Sequence, residues 1–119
     1  YPPRLALEMG NAVVGQVVEM REVDKGSMRS DYAASVKVLW TEKDGEYLKP
    51  ETRTIWIPWQ LRGAVLDGML SVGAVFRIRR TVEGGQENGK NIRAEYRLSV
   101  ADNQSDINAL MTVATPPTT

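Results

Sequence analysis

The chain has 119 residues, of which 15 are basic, 15 acidic, none histidine and none cysteine, with 42% hydrophobic and 25% charged side chains. That length fits one domain with a core that stands without disulfides, and the missing His and Cys exclude nitrogen- or sulfur-ligated metal sites, thiolate nucleophiles and most hydrolase triads. The zero net charge removes any global basic signal for nucleic acid, and no apolar run nears the roughly 20 residues that span a bilayer.

Tyr1 to Gly10 opens with two prolines and reads as an extended arm over the body, anchored by Leu5 and Leu7. Asn11 to Val23 reads as a long first strand whose interior Gly15 marks a bulge or bend. Asp24 to Asp31 is a polar turn around Gly26. The second strand, Tyr32 to Trp40, alternates, with Tyr32, Ala34, Val36, Val38 and Trp40 expected to face inward. Thr41 to Glu51 reads as a loop with Asp44-Gly45 as a hairpin signal, and Thr52 to Ile57 as the third strand, its isoleucines inward and Trp56 outward.

At Pro58 the period changes. Leu61, Val65 and Met69, flanked by Leu66 and Leu70, form one helical stripe, with Gly73 as its stop. Ala74 to Arg80 resumes alternation as the fourth strand, Phe76 and Ile78 on one face, Arg77 and Arg79 on the other. Val82 to Asn91 is a hairpin loop rich in glycine. The fifth strand, Ile92 to Val100, places Ile92, Ala94, Tyr96, Leu98 and Val100 inward and Arg93, Glu95, Arg97 and Ser99 outward. A helical turn over Asp106 to Met111, capped by Ser105 or Asp106, precedes a Thr/Pro tail expected to lack order.

The order is three strands, a helix, two strands: an all-β chain with one short helix, expected to form a five-stranded, partly open Greek-key barrel of the OB-fold type. Residues 1–10 form the arm, 11–101 the barrel domain, and 102–119 the closing turn and tail.

Val14-Gly15-Gln16-Val17, the Ile55 to Gly73 segment, and Gly89-Lys90 with Tyr96 to Val100 resemble the OB-fold single-stranded-DNA-binding proteins of phages, plasmids and related replicons. The resemblance spans roughly residues 10 to 101 and implies a nucleic acid lying across the outer barrel face between the loops Asp24–Asp31 and Val82–Asn91. It implies work in DNA replication or recombination of a phage or mobile element, in the host cytoplasm, with self-association through an exposed strand. One departure is the C-terminal MTVATPPTT, which lacks the acidic, aromatic-ended tail through which cellular bacterial single-strand binders recruit partners.

Single-strand binders combine aromatic platforms with a cationic track, because every base has a π-face and every nucleotide a charge. Trp56 is the first platform candidate, followed by Tyr47 and Trp40. The cationic candidates are Lys25 and Arg29 in the first loop, Lys37 and Arg53 on the middle strands, Arg77 and Arg79 on the fourth, and Lys90 and Arg93 at the last hairpin. The same residues also read without function: Trp56 covered by the arm or the C-terminal turn, Trp59 capping the barrel end under the helix, the arginines solvated or paired with residues such as Glu95. Gly84 to Lys90 has the spacing of a phosphate-binding P-loop, but Asn91 stands where Ser or Thr would hold magnesium and a strand follows, so it reads as a hairpin. No spacing brings two carboxylates together, so no enzyme, metal, cofactor or small-molecule substrate is expected. Single-stranded DNA, or RNA, is the expected partner. The alternative is a protein-interaction or structural β-barrel domain, such as a virion or accessory subunit.

Overall fold

The computed structural model describes residues 2–22, 32–82, 84–87, 89–92 and 94–111. Its elements are β1 (Val13–Glu22), β2 (Tyr32–Thr41), β3 (Gly45–Trp56), a 3-10 turn (Trp59–Leu61), α1 (Arg62–Leu66), β4 (Val75–Val82), β5 (Gly85–Glu87), β6 (Lys90–Ile92), β7 (Glu95–Val100) and α2 (Gln104–Leu110). Five strands form one antiparallel sheet in the order β3-β2-β1-β4-β7, and β5 and β6 form a separate two-stranded ribbon. The sheet is open: β3 and β7 are its two edges.

The N-terminal arm runs along the β3 edge. Thr54 donates its amide to Pro3 O at 2.8 Å, accepts from Leu5 N at 2.8 Å, and donates its hydroxyl to Pro2 O at 2.7 Å. Farther on, Met9 bridges to Arg80 of β4, and Leu5 and Leu7 pack on the main core. The arm thus lies between β3 and β4, as its apolar anchors suggest. Thr54→Val removes one partly buried hydrogen bond and is expected to cost about 1 kcal/mol. Hydrogen exchange checks this, the Leu5 amide losing protection before the strand amides do.

The main core gathers Val13, Val17, Ala34, Val36, Val38, Ile55, Ile57, Leu70, Phe76 and Ile78. Half-buried Tyr96, Leu98 and Val100 of β7 pack on it as expected, but the strand expected over Ile92 to Val100 is broken: β7 begins at Glu95, and Ile92 pairs with Gly85 in the separate ribbon. In β1 the register shifts at Val14/Gly15 and again between Val17 and Glu19, which carries the inward face from Val17 to Met20.

A second cluster lies on the opposite face: Ala12, Val14, Trp40 and Val75, covered by Ile107, Leu110 and Met111 of the α2 region. Trp40 therefore leaves the inward face of β2. The cause is a bulge at Leu39: Val38 and Trp40 stand opposite Gly15 and Val14, which are adjacent in β1, so β2 carries one extra residue there, at the place where its pairing with β3 is also mismatched. Such an irregularity moves the following side chain to the other face.

Three other elements differ from expectation. The loop after β2 is only Glu42 to Asp44, closed by Gly45 at φ +76 and by Asp44 N bonding to Thr41 Oγ1, so β3 begins at Gly45. Helix α1 ends at Leu66 because Gly68 takes φ +81, with Gly68 N bonding to Val65 O and Met69 N to Ala64 O. Leu61, Val65 and Leu70 consequently reach the core, whereas Leu66 and Met69 stay exposed. The cap of α2 is Asn103, whose side chain accepts from Asp106 N at 3.0 Å. No helix among the described residues is long and apolar enough to cross a membrane.

Candidate nucleic-acid interface

Strand pairing sets three rows across the outer face of β1, β2 and β3. They are Arg21–Ala33–Trp56, Glu19–Ser35–Thr54 and Gln16–Lys37–Thr52. The middle residues of the first two rows are small. Ala33 therefore floors a depression between the longer side chains on either side, a groove of about 340 Å³ lined by Pro2, Arg4, Arg21, Glu22, Ala33, Thr54 and Trp56.

Trp56 is half-buried on this face, outward as its place opposite the isoleucines predicts. The arm supplies a wall of the groove through Pro2 and Arg4 without sealing the indole. Arg21 lies beside it with its side chain 16% exposed, donating from Nη1 to Ser35 Oγ at 2.7 Å and pairing with Glu19 at 3.6 Å. Those contacts hold the guanidinium against the sheet. Lys37 is exposed two rows away, four residues along β2 and about 13 Å from the Trp56 row at roughly 3.3 Å per residue.

The other sequence candidates divide. Lys25, Arg29 and Arg93 lie outside the described residues. Trp40 is 4% exposed under α2, which leaves it no face for a base, and the Arg77 guanidinium lies 5.8 Å from its ring centroid. Tyr47 packs its ring on the main core and donates its hydroxyl to Asp44 at 3.1 Å, so it is not a platform either. Arg53 spends its donors on Pro3 O at 3.3 Å, Arg4 O at 3.1 Å and Glu51 at 3.4 Å; it clamps the arm. Arg79 pairs with Glu42 at 3.1 Å and stands directly opposite Arg97, forming with Arg77 a basic group on β4 and β7 away from the groove. Lys90 is exposed on the β5–β6 ribbon, and the Gly84 to Lys90 segment is that hairpin, not a phosphate loop.

Burial raises the Tyr47 phenol above its ordinary value of 10.0; a hydrogen bond with Thr41 opposes this and Asp44 adds to it. The folded state therefore holds this proton more tightly than the unfolded chain. Stability from this group is complete below pH 10.0 and falls as pH rises toward the folded value. Spectrophotometric titration checks it: Tyr47→Phe is expected to remove a phenol that ionises above its ordinary value.

Arg21 and Arg4 were not legible as site residues. Arg21 meets Ser35 and Trp56 only through strand pairing, and Arg4 reaches the groove only because the arm docks on β3. Trp59 also differs from expectation. It is 43% exposed, absent from both core clusters, and stacked by Arg62 at 3.8 Å. Among the described residues no group of three or more carboxylates is placed to hold a metal ion. No described protein family, curated protein or solved structure matches the chain.

Proposed function

We propose that this chain binds single-stranded nucleic acid, without catalysis and with little sequence preference, across the outer face of β1, β2 and β3. The observation that carries the reading is Trp56, accessible in a groove floored by Ala33, with Arg21 beside it and Lys37 farther along the same face. An aromatic platform with cations at nucleotide-scale spacing is what sequence-tolerant binding requires.

The topology supports it. The first strand pairs with both the second and the fourth, and a helix joins the third to the fourth, as in an OB-type barrel whose edges have not met. In that fold the strand 2–3 face receives oligonucleotides. Here the arm occupies the β3 edge. The setting we propose is replication or recombination of a phage or mobile element.

Fluorescence anisotropy with a labelled oligothymidine of about 30 nucleotides tests the reading. A site using about four phosphate contacts weakens roughly 50-fold between 50 and 200 mM salt. Binding that ignores salt points to another class of partner.

One observation favours that second reading, a protein-docking domain. Val18, Leu66, Met69 and Val72 are 50 to 69% exposed, and the bonds joining Val17 to Gly73 and Ala74 bring the β1 bulge beside the turn that carries Val72.

A further inference from the structure

We propose that Trp59 and Arg62 form a second stacking subsite, into which a single strand passes after leaving Trp56. The inference rests on the β1–β3 face being the nucleic-acid interface, and it adds a subsite where the sequence suggests only a barrel cap. Leu61, Ala64 and Val65 turn inward onto the core, and Trp59, the largest side chain of the segment, is left out of it. Arg62 covers one face of the indole, its guanidinium carbon 3.8 Å from the ring centroid, while the residue remains 43% exposed. The ring is thus held in place by a cation–π contact and still presents surface for a base, with a positive charge at the same point for the adjoining phosphate.

Position makes the pair useful. Trp56 and Trp59 are three residues apart, so their Cα atoms lie at most about 11 Å from each other, a span that about three nucleotides bridge at a stacked rise of roughly 3.4 Å. Buried Pro58 between them, at φ −54, fixes the offset. Gln60 donates to Ala94 O at 2.6 Å, which pins the turn to the chain between β6 and β7, on the side of the ribbon that carries exposed Lys90. A strand crossing the groove and continuing past Pro58 meets a second indole and the further cation of Arg62.

Trp56→Phe and Trp59→Phe leave one accessible indole each, with buried Trp40 as a common background. Their emission is titrated with oligothymidines of about 3, 6, 12 and 24 nucleotides at low salt. The expected result is quenching of Trp59 that appears only with the longer oligomers, and a five-fold or greater loss of 12-mer affinity in Trp59→Ala and in Arg62→Ala, whose unchanged circular dichroism reports an intact fold. Quenching of Trp56 at every length with an unresponsive Trp59 and full affinity in Trp59→Ala overturns the second subsite alone. Silence from both indoles at all lengths overturns the subsite together with the interface it extends.

Discussion

Trp56→Ala is expected to weaken binding of an oligothymidine by about 5- to 150-fold, the equivalent of the roughly 1–3 kcal/mol that one base–aromatic stack contributes. The indole stands opposite Ala33 at the edge of the groove, and among the described residues lining the groove it is the only aromatic one. The thermal midpoint should move little, because Trp56 belongs to neither core cluster. Arg21→Ala should act differently: a smaller loss of affinity at low salt and a salt dependence shallower by about 0.7 in slope, as one phosphate contact disappears. The comparison separates stacking from charge. An affinity unchanged in Trp56→Ala would place the nucleic acid elsewhere, with the Arg77, Arg79 and Arg97 group next in line.

Gly15→Ala is expected to lower the thermal midpoint by roughly 5 to 15 °C, from an overpacking cost of about 1–3 kcal/mol or somewhat more. A Cβ at this position would collide with Val36 Cγ1 and come within 3.1 Å of Lys37 O. Val36 is fully buried on the neighbouring strand and has no space to retreat into. Gly15 also lies where β1 shifts register against β2, so the strand bends there because its neighbour comes that close. Gly63→Ala provides the contrast within the same fold. It lies in α1, away from positive φ, with nothing within 4 Å of an added Cβ. That substitution should stabilise by about 0.5–1 kcal/mol through helix propensity. Scanning calorimetry on both variants reads the opposite signs directly, and equal midpoints would mean that the approach of β1 to β2 is looser than described.

Strand faces were legible wherever one face meets one environment. Tyr96, Leu98 and Val100 against Glu95, Arg97 and Ser99 follow a period of two because one side meets core and the other solvent, and Phe76 and Ile78 against Arg77 and Arg79 follow it too, although Val75 on the arginine face is buried under α2. Trp40 broke that rule because Leu39 is an extra residue of β2, Val38 and Trp40 standing opposite the adjacent Gly15 and Val14 of β1, and periodicity within β2 carries no record of the register of its partners. The helix was legible as a stripe but not in its extent, since Gly68 and Gly73 both suit a stop and only the bonds to Ala64 and Val65 separate them. The place of a candidate residue was legible when it depended on its own strand, as with Trp56 facing away from the isoleucines. They were missed or misplaced when contacts over long sequence separation decide the role: Arg21 reaches Ser35, Arg53 serves the arm, and Arg79 is tied to Glu42.

The chain's 3 tryptophans give the most direct test of the central claim, because each samples a different surroundings: Trp40 under α2, Trp56 in the groove and Trp59 beneath Arg62. The measurement is the set of indole N–H resonances in a ¹⁵N-labelled sample, followed as unlabelled oligothymidine is added at low salt and then as salt is raised. A progressive shift of the Trp56 resonance that reverses with salt, while Trp40 stays in place, is expected if the outer face of β1, β2 and β3 binds the strand. An unmoved Trp56 resonance at low salt and excess oligonucleotide would contradict it, and the outer face of β1, β2 and β3 would then be left to a protein partner.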